Sequence, residues 1–293
     1  MRHPIRPASL ALAALLLSAC ASFRFESQAI TLRPDPESDA LVVEVLYRGV
    51  HASSDREDAA AKGAETIARL AAGRRHFIVF DWFFELDLDA LEPPADVTEL
   101  ERRALAFITG ITVERSGLFV DEHDRLGAYQ RFRIANFSAG LELANDAHTR
   151  LVLDLAAQGE QHPDVDDRTW ELWQQRANAG GRWFVLDGDT IEYRAPLTSR
   201  ALARLLEAAV RECLEEPDGA SLFVGLLDAL TEIAVDGELA VFRFEPGPDG
   251  RIHLDLERPK WIYSPELRVA LEQGREAIDR LESADVRARL RRD

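Results

Sequence analysis

Apolar and polar positions alternate from Phe23 to Arg33 and again from Leu41 to Tyr47, around the turn run Pro34-Asp35-Pro36-Glu37-Ser38-Asp39. Alternation with period two, broken by Pro, Asp and Ser, predicts a β-hairpin. Ser54-Asp55-Arg56-Glu57 has the form of a capping box and opens an Ala-rich helix to about Leu70, with Gly73 as its stop. The most hydrophobic stretch is His76 to Leu88. Its first half is apolar on both faces, so the pattern predicts one central strand. Its second half alternates, with Glu85, Asp87 and Asp89 on one side. After Pro93-Pro94, Thr98 and Glu101 stand at the spacing of a second capping box.

Three further strand pairs are predicted. Ile111–Val120 and Ala128–Ile134 flank a polar turn, Trp183–Leu186 and Ile191–Tyr193 flank Asp187-Gly188-Asp189, and Leu239–Phe244 and Ile252–Leu256 flank Pro246-Gly247-Pro248-Asp249-Gly250. Helices are predicted from Phe137 to Ala157, around Trp170 and Trp173, from Thr198 to Leu214, and from Ser264 onward. Hairpins alternating with helices imply an α+β fold, with a mainly antiparallel sheet and helices packed on one face. The hairpins are too unevenly spaced for a solenoid. The length allows one large domain or two lobes, 20–160 and 164–293, divided at the polar stretch Gln158–Pro163.

The first nineteen residues read differently. Arg2, His3 and Arg6 form a basic start, Ala8 to Leu17 is a short apolar run, and small residues lead to Cys20. This is an export signal, too short to span a bilayer as a helix. Leu17-Ser18-Ala19-Cys20 resembles the lipobox of bacterial lipoproteins. The resemblance covers residues 1–20 and implies cleavage before Cys20 and acylation of its thiol and new amino group. Ala21, rather than Asp, follows the cysteine, which under the Gram-negative sorting rule implies the periplasmic face of the outer membrane. Several acyl chains, at about 0.8 kcal/mol per buried CH₂, make a stable anchor. No Gly/Ser/Pro-rich linker follows, so the folded region is expected to lie close to the membrane.

Charge sharpens that expectation. The whole chain carries 35 basic and 52 acidic residues, a net −17. The leader removes two arginines and no acid, leaving 33 against 52, or −19. Such a surface repels nucleic acid and anionic lipid, so nucleic-acid binding is not expected and the acyl group must hold the protein at the bilayer. Only Lys62 and Lys260 are lysines, an arginine bias that fits a GC-rich genome. Two cysteines exclude a disulfide scaffold.

The remaining chemistry is sparse. Cys213 falls on the apolar face of its predicted helix, as a small core hydrophobe. Asp81 shares a face with Phe77, Val79 and Phe83 on the predicted strand. Either an arginine pairs with it, or it acts as a general base or ligand with Glu85 on the same side. Three acidic groups, Asp87 with Asp89, Asp121 with Glu122 and Asp124, and Asp164 with Asp166 and Asp167, lack the EF-hand pattern and read as solvated turns and helix starts. The seven histidines show no zinc spacing, His51, Ser53 and Asp55 are too near in sequence for a triad, and no phosphate-binding loop or nucleophile elbow is present. No metal or cofactor is therefore expected. Trp170 and Trp173 read as core anchors. Leu267, Leu271, Gly274, Ile278 and Leu281 form a short helical seam, and Arg287, Arg289, Arg291 and Arg292 make a basic end. That end either touches lipid phosphates or complements a helix C-terminus.

The function expected from these residues is that of an envelope lipoprotein, more a binding or assembly module than an enzyme. Its expected partners are the bilayer, through acylated Cys20, and an envelope protein. The alternatives are a hydrolase using Asp81 and Glu85, or a carrier for apolar ligands.

Overall fold

The computed structural model describes residues 23–24, 26–49, 51–52, 76–77, 86–87, 97–160, 166–204, 206–207, 229–257 and 283–291. The fold is α+β, with antiparallel sheets of five and four strands. The strands are β1 (Phe23–Arg24), β2 (Ser27–Asp35), β3 (Ala40–Arg48), β4 (His51–Ala52), β5 (His76–Phe77), β6 (Leu86–Asp87), β7 (Thr112–Val120), β8 (Leu126–Ala135), β9 (Phe184–Asp187), β10 (Thr190–Pro196), β11 (Glu232–Asp236), β12 (Leu239–Phe244) and β13 (Ile252–Glu257). The helices used below are α1 (Glu99–Thr109), α2 (Phe137–Ala157), α3 (Asp167–Asn178) and α4 (Ser283–Arg291). Among the described residues, no helix is long and apolar enough to cross a membrane.

The chain divides into two compact units, each drawn from separated stretches. One comprises 1–30, 42–134 and 255–293, the other 31–41 and 135–254. Gln158–Pro163 falls inside the second unit, where α2 and α3 on either side of it share a core containing Val152 and Trp170.

The five-stranded sheet has the order β13-β2-β3-β8-β7, so β3 is central. Every residue of β3 but Arg48 is buried, as a strand covered on both faces requires. In the first unit, Leu46, Phe119, Val286 and Leu290 form a core, with Ala29 and Tyr129 packed against it. Two glycines make room for its rings. Gly117 stands opposite Tyr129, and Gly127 stands opposite Phe119. A Cβ on Gly127 would come within 2.2 Å of the Phe119 ring, and one on Gly117 within 2.7 Å of the Tyr129 hydroxyl. An aromatic lying over a cross-strand glycine fills the missing side-chain volume.

The four-stranded sheet of the second unit has the order β11-β12-β10-β9. Period-two alternation splits its two faces. On one, Phe184, Tyr193 and Phe242 are cross-strand neighbours, with stacked centroids 5.1 and 5.8 Å apart. On the other, Glu232, Arg243 and Glu192 form a rung of alternating charge across three strands.

Helix ends follow their sequence signals. Thr98 and Glu101 form the reciprocal capping box of α1. Asp166 caps α3 by accepting from Thr169 N–H. The start of α2 is capped from a distance. Asn136 gives no side-chain cap, and Asp39, at the β2–β3 turn, accepts from Ser138 N at 2.8 Å and Ser138 Oγ at 2.6 Å.

Two strand expectations are corrected. His76–Leu88 is not one continuous strand, because His76 pairs with Asp87 and Phe77 with Leu86 in antiparallel register. A strand cannot pair antiparallel with itself unless the chain reverses between its ends. The predicted Leu239–Phe244/Ile252–Leu256 hairpin is also replaced. β12 pairs with β10 and β11, whereas β13 lies beside β2 in the other sheet. The hairpin partner of β12 is β11, which the Gly237-Glu238 turn joins to it with Gly237 at φ +61°. The helices predicted at 54–70 and 264–281, and residues 205 and 208–214 of the one predicted at Thr198–Leu214, lie outside the described residues.

Asn145 is the polar tie between α2 and the edge of the four-stranded sheet. Its Oδ1 accepts from Trp183 N at 2.6 Å and Phe184 N at 2.8 Å, and its Nδ2 donates to Phe184 O at 2.9 Å. A helix side chain thus satisfies backbone groups next to an edge strand. Replacing it with Leu leaves those groups buried without partners. Asn145→Leu is expected to lower unfolding free energy by about 2–4 kcal/mol, read from the urea midpoint. A change within experimental scatter would contradict the tie.

Candidate functional site

Glu26 lies just before β2, and a charged network surrounds it. Glu26 N–H donates to Arg48 O. Arg125 Nη1 donates to Glu26 Oε2 at 2.9 Å, and its Nε donates to Asp121 Oδ2 at 2.8 Å. Asp121 itself is buried in the β7–β8 turn, where Oδ1 accepts from His123 N and Arg125 N. Burial opposes the charge on Arg125, but the Asp121 and Glu26 carboxylates outweigh it and raise its pKa. Arg48 shows the reverse. Burial, and then the like charge of Arg287, lower its pKa, with Arg125 acting in the same direction.

The C-terminal helix α4 completes this region. Val286 and Leu290, one helical turn apart, pack into the first unit's core. The carbonyls at the end of α4 are taken by arginines of the sheet. Arg131 on β8 donates from Nη1 to Leu290 O at 2.7 Å, and Arg115 on β7 donates to Arg289 O. Arg131 is buried and faces two carboxylates, Glu114 at 2.7 Å and Glu44 at 3.7 Å. Glu44 lies in the middle of the central strand, where a lone charge would be costly. Sequence patterning does not reveal this group, because nothing in the apolar run around Glu44 names its partner, and Arg131 is one of two arginines on β8.

In the second unit, the notable side chain is His148 on α2. Its ring lies 4.3 Å from Trp183, 5.6 Å from Trp173 and 6.3 Å from Tyr193. Trp183 is fully buried, and its Nε1 donates to Thr149 Oγ1 at 2.9 Å. The Arg176 guanidinium sits 5.4 Å over the same indole, where burial and then Arg194 lower its pKa. Trp170 and Trp173 belong to this core, and Trp173 Nε1 donates to Pro196 O at 2.9 Å. The rings fill the space between helices and sheet, and both indole N–H groups of Trp173 and Trp183 are hydrogen-bonded.

The sequence-predicted chemistry is distributed as follows. Cys20, Asp81, Glu85, Cys213, Ser53, Asp55, Asp89 and Asp164 lie outside the described residues. Asp121 is committed to its turn and to Arg125, Asp166 to its helix cap, and Asp167 to the first turn of α3. Among the described residues, no three His, Cys, Asp or Glu side chains converge as metal ligands.

The charged rung on the four-stranded sheet makes stability depend on pH. Glu192 is buried, and burial alone would raise its pKa. Hydrogen bonds from Arg243 at 2.9 Å and Arg194 at 2.7 Å outweigh burial and hold its carboxyl below the ordinary 4.5. A depressed carboxylate contributes stability above its unfolded-state pKa and loses it as pH falls through the folded value. Glu192→Gln is therefore expected to lower the urea midpoint near neutral pH, with a smaller gap to the native chain at a pH well below the ordinary 4.5. An equal gap at both pH values would contradict this assignment.

Comparison with protein-family models, with curated proteins and with solved structures returns no match for this chain.

Proposed function

We propose that the chain is an envelope lipoprotein, anchored through acylated Cys20, whose folded region serves as a binding or assembly module. The observation that carries this reading is the run Leu17-Ser18-Ala19-Cys20 behind a basic start and a short apolar stretch. Its closeness to the fold supports it further. Strand structure begins at Phe23, and β2 begins at Ser27. Seven residues from Cys20 to β2 reach at most about 25 Å, so an anchored domain stays beside the bilayer.

In a Gram-negative host fed labelled palmitate, the native chain is expected to take up label and fractionate with membranes. Cys20→Ala is expected to lose the label and to retain the leader, seen as a larger mass. A native chain without label, or a Cys20→Ala chain labelled like the native one, would overturn the anchor. Hydrolysis of envelope substrates by the purified protein, abolished in Asp81→Asn, would overturn the module reading and favour the hydrolase.

A further inference from the structure

The outward side of α4 is basic in a strongly acidic protein. Its sequence places Arg287, Arg289 and Arg291 against a single acid, Asp285. All four are exposed, while Val286 and Leu290 face the core. Arg287 and Arg291 are one turn apart and line one flank of the helix.

Complementing the helix dipole does not account for this excess. The terminal carbonyls of α4 already receive guanidinium donors from Arg115 and Arg131. Arginines on α4 itself add like charge to that end and to Arg48, whose pKa the Arg287 charge lowers. Arg48 Nε is buried without a hydrogen-bond partner among the described residues. Glu122 and Asp121 offset part of this charge at Arg48, while the exposed flank of Arg287 and Arg291 is open to an anion from outside the fold.

The position of α4 indicates which anion. Ala29, on β2, packs against the core that holds Val286 and Leu290. The backbone carbonyl of Arg48, whose guanidinium feels the charge of Arg287, accepts from Glu26 N–H. The basic flank therefore lies beside the point where the chain leaves Cys20 behind. An acyl anchor at Cys20 would keep that point within about 25 Å of the headgroups. The mature chain as a whole is −19 although α4 contributes +2, so the remainder is strongly acidic and repelled by anionic lipid, and the two effects together select one orientation.

We propose that the exposed flank of α4, through Arg287 and Arg291, docks on the anionic phospholipid headgroups of the membrane that holds the anchor. The proposal rests on the lipoprotein reading for its geometry. It fixes which edge of the first unit faces the bilayer.

The test uses the full chain, processed in a lipoprotein-making bacterium and reconstituted into nanodiscs. One set contains phosphatidylcholine alone, the other phosphatidylcholine with phosphatidylglycerol. Arginine modification by phenylglyoxal is followed by mass spectrometry. Arg287 and Arg291 are expected to react several-fold more slowly in the anionic discs, with the protection reversed by molar salt. Arg150 and Arg182, exposed in the second unit, are expected to react equally in both. Equal rates at Arg287 and Arg291 in the two lipids, or protection spread equally to Arg150 and Arg182, would overturn the proposal. The intact mass reports the acyl group separately. If it is missing, the anchor reading fails, and the footprint is repeated with the same chain and added vesicles of the two compositions. There, Arg287→Gln/Arg291→Gln is expected to weaken binding to anionic vesicles about twenty-fold. Unchanged binding would also overturn the proposal.

Discussion

Arg131 is the residue on which the arrangement of the first unit depends. It is buried in a sheet face, with carboxylates of Glu114 and Glu44 and the Leu290 carbonyl around it. Placing a charge there is costly in itself, and a buried ion pair is not a net source of stability by default. What the arrangement supplies is position. Glu44 is fixed by the central strand and Arg131 by β8, so the carbonyl end of α4 has one favourable place to sit. Val286 and Leu290 then close the apolar core over Leu46 and Phe119. Removing Arg131 takes a counter-charge from buried Glu44 and the side-chain donor from the Leu290 carbonyl, so the group acts as a unit.

The second unit solves the same problem differently. Its four-stranded sheet keeps charge on one face and rings on the other, and the charged rung Glu232–Arg243–Glu192 is satisfied within the sheet. The ring face meets α2 and α3 through Trp183, Trp173 and His148. Asn145 links helix and sheet by backbone hydrogen bonds, and Asp39 starts α2 from a turn far away in sequence. Both devices use one short polar side chain to satisfy backbone groups that their own segments leave open.

Local signals were readable where the physics is local. The capping box at Thr98, the cap at Asp166, the 137–157 helix and the Asp187-Gly188-Asp189 turn all depend on residues a few positions apart. Strand partnership was not readable, because it is decided by long-range packing. β13 carries the alternation of a hairpin partner for β12, yet pairs beside β2, and β11 is too short and polar-flanked to stand out. His76–Leu88 misled for a related reason, since continuous hydrophobicity does not say whether the chain turns back on itself. Of the candidate site, the basic residues of α4 were visible in sequence. Their setting was not: it requires knowing that Arg115 and Arg131 already occupy the helix end and that β2 runs alongside.

The central physical claim is that Arg131 holds α4 in place, and with it the basic flank beside Glu26. Native-state hydrogen exchange of the α4 amides in the native chain and in Arg131→Met tests it most directly. The native α4 amides are expected to be strongly protected. In the variant, they should lose protection by on the order of 100-fold or more, the scale of a broken buried ion pair, while β10 and β12 keep theirs. An α4 that exchanges freely in the native chain, or is equally protected in the variant, would contradict the account.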